Sequence, residues 1–270
     1  MAIDPKTIAQ ELVDAYATGE MLDAPLSSRP GFDLPAAYAV EAELARRRRA
    51  SGHVIVGRKI AFANDAVWPK LKIQTVAWGS MYDDTVQRAN VAETTAVPFT
   101  YAPKLEPEIV FKVKRPMTGG FDDPVAVMQA VEWLSLGYEI VDCPFREWQF
   151  QPADLVAAFG FHAGLVLGEP TPVTDATATS LASQLASFKL KLFKNDAFIE
   201  EGGGRNVLRS PALALGEFAA ALSRSPWAEP LREGELITTG SLTTPMLIAP
   251  GETWRAEPDG LSVAPLTMKL

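Results

Sequence analysis

The sequence predicts an α+β protein, a helical N-terminal segment followed by a mostly antiparallel or mixed sheet system with helices packed outside. Three observations carry this. Two helices entered through proline fall within the first fifty residues; short strand-like segments dominate from residue 53 onward; and only two helical stretches interrupt that series. The organisation expected is therefore residues 1–52 as an N-terminal helical segment and residues 53–270 as the sheet domain. There is no internal repeat and no low-complexity linker.

The elements follow in order. Asp4 is a good N-cap with Pro5 at the first helical position, and Ile8, Leu12, Val13 and Tyr16 form an apolar stripe that ends at Gly19. A second helix starts after Asp33, again with proline just inside at Pro35, runs through AAYAVEAELARRRR and stops near Gly52. HVIVGRKIAFA then reads as a strand broken at Gly57. Further strands are expected at 105–114, 138–143, 187–194, 197–201, 235–239 and 261–269, with KNDA at 194–197 as a hairpin turn. One intervening helix is capped by Asp122 or Asp123 with Pro124 and runs through VAVMQAVEWLSLG. The other is capped by Ser210 with Pro211 and runs through ALALGEFAAALS.

Composition narrows the function. A chain of 270 residues with 47% hydrophobic and 21% charged residues can bury a substantial core. The net charge of −8 argues against binding a phosphate backbone, which needs a clustered excess of Lys and Arg. The run Arg46 to Arg49 lies at a helix end and reads as solvated. A single cysteine, Cys143, permits neither an intrachain disulfide nor a thiolate zinc cluster. The first residues lack a basic and then apolar leader, and no apolar run reaches the ~18 residues of a membrane span. A cytoplasmic protein is expected.

The segment KLEPEIVFKV, residues 104–113, raises the functional question. Glu106 and Glu108 point to one face of an extended chain, about 6.5–7 Å apart at Cα. Paired glutamates most often mark a solvent-facing edge, and Pro107 between them forbids a ladder hydrogen bond, which favours an edge or a strand entrance. A third acid tilts the balance. Glu139, in LGYEIVD, stands in an apolar strand where a lone carboxylate is costly unless paired or metal-bound. Three carboxylates without histidine or thiolate suit a hard cation, Mg²⁺ or Mn²⁺. Asp142 falls on the opposite face of that strand.

LEPEIVF followed some thirty residues later by YEIVD resembles the fumarylacetoacetate hydrolase superfamily, in its 2-keto-4-pentenoate hydratase and 4-oxalocrotonate decarboxylase branch. VGRKIAF at 56–62, GSMYDD at 79–84, EGGGRNVLRSPALAL and LREGELITTGSL match further family segments in order, over nearly the whole chain. The resemblance implies a fumarylacetoacetate hydrolase-like mixed β-sheet roll, with 53–270 as its catalytic domain. It implies Glu106, Glu108 and Glu139 as the ligands of a catalytic Mg²⁺ or Mn²⁺. Lys59 and Asp84 take catalytic positions; Thr239, Gly240 and Gly204 take substrate-binding ones. Read without the family, Lys59 is a surface lysine at a strand end, Asp84 a turn residue and Thr239 a strand residue. His53 and His162 miss the lid pattern of the C–C hydrolases and read as structural. Ala158 and Phe159 stand where many relatives carry Asp-Asn, which implies a more apolar substrate tail or weakened chemistry.

The expected activity is a divalent-metal-dependent hydratase acting on a 2-hydroxy-2,4-dienoate or 2-oxo-enoate in the degradation of aromatic compounds. The alternatives are a decarboxylase or C–C hydrolase of a related 2-oxo acid and, in another class, a non-catalytic partner subunit of a hydratase–decarboxylase complex. The expected partner is a small-molecule 2-oxo acid, with neither nucleic acid nor membrane, in a homo-oligomer.

Overall fold

The computed structural model of the chain describes residues 3–270. In chain order the elements are α1 (Pro5–Thr18), α2 (Leu34–Ala50), β1 (Ile55–Ala61), α3 (Trp68–Leu71), β2 (Ala77–Tyr82), β3 (Val86–Arg88), β4 (Lys104–Val113), α4 (Pro124–Met128) and β5 (Val131–Val141). Then come α5 (Pro152–Ala157), β6 (His162–Leu167), β7 (Thr171–Pro172), α6 (Asp175–Ser187), β8 (Lys189–Lys194), β9 (Ala197–Gly203), α7 (Pro211–Arg224), β10 (Leu236–Thr238), β11 (Met246–Leu247), β12 (Thr253–Asp259) and β13 (Leu266–Lys269).

The strands form two sheets. A nine-stranded sheet runs β2-β1-β10-β4-β5-β6-β3, with β11 added beside β4 and β7 beside β5. It is mixed: β1 pairs β10 and β3 pairs β6 in parallel, and the remaining pairs are antiparallel. A four-stranded antiparallel sheet runs β13-β12-β8-β9. Asp4 and Asp33 cap α1 and α2 through their side chains, as their place before proline predicts. The buried faces of both helices, with Leu12, Val40 and Leu44, share one continuous core with Ile60, Leu105 and Phe111 of the sheet.

Two expectations are corrected. The helix read through VAVMQAVEWLSLG stops at Met128, and an eleven-residue strand starts at Val131. The Asp-Pro cap is real, but Leu134, Leu136, Tyr138 and Ile140 recur every second residue, and this interior strand is buried almost throughout. Buried runs of this kind look alike as helix or strand until their neighbours are known. Second, β4 is central in the sheet, not an edge. Pro107 is tolerated because its carbonyl, and hence its nitrogen, faces the stretch between β10 and β11, where Leu242 N donates to Pro107 O at 2.8 Å. The neighbouring strand is interrupted where the missing N–H would be needed.

Candidate metal and active site

Register assembles the site. In the β4–β5 pair Glu106 stands directly opposite Glu139, and Glu108 opposite Gly137. Directly opposite residues bring their Cβ atoms within about 4.5–5.5 Å. On the same face, β10 places Thr238 opposite Val110, and β1 places Lys59 beside Thr238. The three glutamates each offer a carboxylate oxygen within 4.8 Å of the others.

Each side chain is held by specific partners. Glu139, fully buried, accepts a hydrogen bond from His162 Nδ1 at 3.0 Å, lies 3.5 Å from Lys59 Nζ and faces the Thr238 hydroxyl at 3.4 Å. His162 is fixed from behind by Thr85 Oγ1, 3.0 Å from its Nε2. Glu108 Oε2 accepts from Gly240 N at 2.6 Å, while its Oε1 is buried with no hydrogen-bond partner. Gly240 has φ 109, and a Cβ there would lie 2.6 Å from Ala63 Cβ, so only glycine brings that N–H to Glu108. Lys59 is buried as well, and the turn at Gly160 passes close over it: a Cβ at Gly160 would meet Lys59 Cδ at 3.0 Å.

The electrostatics separate the acids. Burial pushes Glu106 up to about 7, with the Lys59 ammonium pulling it down and Glu139 pushing it further up. Burial also drives Glu108 well above the usual carboxylate range, reinforced by Glu139 and Glu106. Glu139 moves the other way: burial opposes its charge, but Lys59 and His162 outweigh it and hold the carboxyl below its ordinary value. For Lys59 burial favours the neutral amine, yet the three glutamates hold its ammonium above the ordinary lysine value. One ammonium balances only one of the three carboxylates, Glu139, so without a cation burial favours protons on Glu106 and Glu108. The orphaned Glu108 oxygen, the all-oxygen donor set and two acids that burial keeps protonated until a cation takes the proton's place together fit a hard divalent cation.

Glu106 and Glu108 open into a cavity of about 440 Å³, within the usual range for small ligands. Its wall continues from Lys59 and Gly240 to Val141, Trp148, Phe150, Leu155 and Phe161.

The structure brings Glu106, Glu108, Glu139, Lys59 and Gly240 together and leaves three expected residues elsewhere. Asp84 sits on the turn after β2, closed by Thr85 N donating to Tyr82 O at 3.0 Å. It is partly exposed, ion-paired with Arg48 and 3.5 Å from His53, and it borders a second cavity behind His162. Thr239 is buried with its hydroxyl donated to Ile109 O at 3.0 Å, so it braces β4 and stays off the cavity wall. Gly204 is a packing glycine: a Cβ there would stand 1.8 Å from Leu185 O. Asn206, two residues on, reaches the wall instead. Sequence reasoning missed His162 and Thr238. Only the register, which brings β6 and β10 to the Glu139 carboxylate, reveals them.

Fold and site together define the class: a fumarylacetoacetate hydrolase-like mixed sheet roll in which three glutamates converge, two of them on a cavity wall. No family model matches the chain. It is 28% identical over 253 residues to the 2-keto-4-pentenoate hydratase of Paraburkholderia xenovorans, covering 94% of this chain and 90% of that protein. In structure it is similar to 4-oxalocrotonate decarboxylase from Pseudomonas putida complexed with magnesium and adipate, at TM-score 0.83 and 21% identity, over 99% of this chain and 98% of the other. Fumarylpyruvate hydrolase from Pseudomonas aeruginosa in complex with Mn²⁺ and pyruvate is a more distant match. Its TM-score is 0.53 at 14% identity, over 78% and 87% of the two chains. The sequence resemblance to the hydratase–decarboxylase branch covers 94% of the chain, and the likeness in fold to the decarboxylase structure 99%.

Proposed function

We propose that the protein is a divalent-metal-dependent hydratase acting on a 2-hydroxy-2,4-dienoate and its 2-oxo-enoate tautomer, as in the breakdown of aromatic compounds. The observation that carries this is the convergence of Glu106, Glu108 and Glu139 beside a buried lysine at the head of a cavity that turns apolar. The relatives named as hydratases support the reaction type. Glu106, Glu108 and Glu139 would hold Mg²⁺ or Mn²⁺, which when bound supplies Lewis acidity for negative charge developing on the oxygen at C2.

The chain's own residues do the rest. His162, Thr238 and Lys59 fix the Glu139 carboxylate, and Gly240 N–H fixes that of Glu108. Lys59 is, among the described residues, the one ammonium on the cavity wall, and it takes the proton-transfer role. In the reaction a proton moves from the C2 hydroxyl to C5, giving the 2-oxo-3-enoate; water oxygen then adds at C4 and a proton at C3. The apolar side of the wall, with Trp148, Phe150, Leu155 and Phe161, packs against the conjugated chain. No helix among the described residues is long and apolar enough to cross a membrane. The setting proposed is cytoplasmic and homo-oligomeric, with Phe198 and Ile199 exposed on edge strand β9 as contact residues.

Two measurements test this reading. Oxalate, which mimics the 2-oxo acid head, should bind only with Mg²⁺ or Mn²⁺ and not to Glu106→Gln. The ultraviolet absorbance of 2-hydroxypenta-2,4-dienoate should decay with metal present, with a 4-hydroxy-2-oxo acid as product. Metal-independent oxalate binding would overturn the site. Release of CO₂ from a dicarboxylic relative at a higher kcat/KM would move the decarboxylase reading ahead.

A further inference from the structure

We infer that the substrate tail is uncharged and of aromatic or branched-apolar size, and that Trp148 enforces this choice by covering Lys104. The inference rests on the reading of the cavity as a 2-oxo acid site. Its first support is the slot beyond the carboxylates. Phe161 is met by Phe150 at 4.8 Å and by Trp148 at 6.0 Å between ring centroids, both edge-to-face. Such arrangements hold rings firmly; Phe161 is fully packed, and the half-buried Trp148 and Phe150 are the rings left to meet a guest. The backbone is bent to present them. Trp148 has φ 55 and Phe161 φ 58, a left-handed conformation that bulky residues rarely adopt.

The second support is charge. The charged residues of the wall are Lys59, Glu106, Glu108 and Glu200 among the described residues. Lys59 is already engaged with Glu139, and Glu200 brings a negative charge to the wall, accepting from Thr244 N at 3.0 Å and Thr244 Oγ1 at 3.1 Å. A second carboxylate on the substrate would meet no free cation there.

Lys104 is the cation that could have served. It lies on the same face of β4 as Glu106 and Glu108, two residues before the first. Its Nζ sits 3.9 Å from the centroid of the Trp148 ring and does not reach the wall. The indole occupies the ammonium by cation–π attraction, so the charge reaches Glu106 only through space and makes no contact on the wall. A carboxylate-tailed acid must displace the ring or leave its charge without a cation, against the aromatic rings or beside Glu200, which is costly. A substrate that loses a terminal carboxylate as CO₂ would have to seat that group in this slot, so the slot favours hydration over decarboxylation.

Calorimetry with Mn²⁺ present tests this on four ligands: oxalate, 2-oxobutanoate, 4-phenyl-2-oxobutanoate and 2-oxohexanedioate. The phenyl acid should bind about tenfold more tightly than 2-oxobutanoate, and the dicarboxylate no more tightly than 2-oxobutanoate. Trp148→Ala should shrink the phenyl preference and raise dicarboxylate affinity, and adding Lys104→Met should remove that gain. Oxalate binding by each variant reports that the head site is assembled. If oxalate binds but the dicarboxylate outbinds the phenyl acid in the parent protein, the inference is overturned while the head site stands. A Trp148→Ala variant that leaves the ratio unmoved would overturn it equally. If oxalate itself fails to bind with Mn²⁺, the head-site reading falls and the tail inference falls with it.

Discussion

Two clusters in this molecule have nearly the same inventory and opposite physics. Glu106, Glu108 and Glu139 converge beside Lys59; His53, Asp83 and Asp84 converge beside Arg48. In the first, Glu108 and Glu139 are fully buried, and an oxygen of Glu108 is left without a partner. In the second, the Asp83 and Asp84 side chains are 45% and 42% exposed. Asp83 accepts from Val54 N, and Asp84 pairs with Arg48. Solvent and local donors satisfy the outer acids and leave little for a cation to gain. The buried acids can ionise only against a partner that water does not supply, so protons or a cation must complete them. Burial, more than the count of acids, separates a site from a turn.

The sharpest way to break this contrast is Glu108→Gln. It removes one negative charge while keeping the shape, and Mn²⁺ affinity measured by calorimetry should fall more than about 100-fold, beyond the range usual for outer-shell changes. Asp84→Asn should leave Mn²⁺ affinity within about twofold, the range of a screened surface charge. Equal losses in the two variants would mean that the outer cluster binds the metal.

A smaller effect is expected one layer out. His162 touches Glu139 but does not line the carboxylate cavity, so it acts as a positioning residue. His162→Ala should weaken Mn²⁺ binding by roughly 10–100-fold. His162→Asn, which retains a donor near the carboxylate, should recover part of that loss. A packing role alone would lower the melting temperature in both variants without this split in metal affinity.

The contrast also marks how much the sequence could reveal. The glutamate pair on β4 was legible because a strand sends alternate residues to one face and Pro107 left the spacing intact. The two N-terminal helices were legible from Asp-Pro caps, and the resemblance carried Glu139 and Lys59 to the site. His162 was not, because its role depends on β6 lying beside β5 in one register. Asp84 and Gly204 lie off the glutamate cavity wall for the converse reason. Each stands in the expected motif, but burial and backbone contacts decide what a motif residue faces. Helix α6 escaped as well; its Thr- and Ser-rich DATATSLASQLAS gives a weak helical signal, and the Thr174–Thr177 capping box at its start shows only in the structure.

The mildest expected effect is on stability and follows from the raised carboxyls. Glu106 has a folded-state value of about 7 against 4.5 for an unperturbed glutamate, so the metal-free folded state holds a proton there that the unfolded chain has released. The native state binds more protons between those values, and stability therefore falls as pH rises from about 4.5 toward 7. Glu108 is raised as well and acts in the same direction. Glu139, held low by Lys59 and His162, has the opposite sign and adds stability above the unfolded value. A divalent cation replaces the protons on Glu106 and Glu108, and it competes with them less as pH rises past the Glu106 value of about 7. The rise in melting temperature on adding 1 mM-scale Mn²⁺ should accordingly be several degrees larger near pH 8 than near pH 5.5, the order of shift that about 1–2 kcal/mol produces in a chain of this size. Glu106→Gln should flatten this dependence and raise the metal-free melting temperature at pH 8, because the amide carries no charge to bury. An equal metal-induced shift at both pH values would show that the glutamates are already ionised without the metal, and that their burial is offset by some other cation.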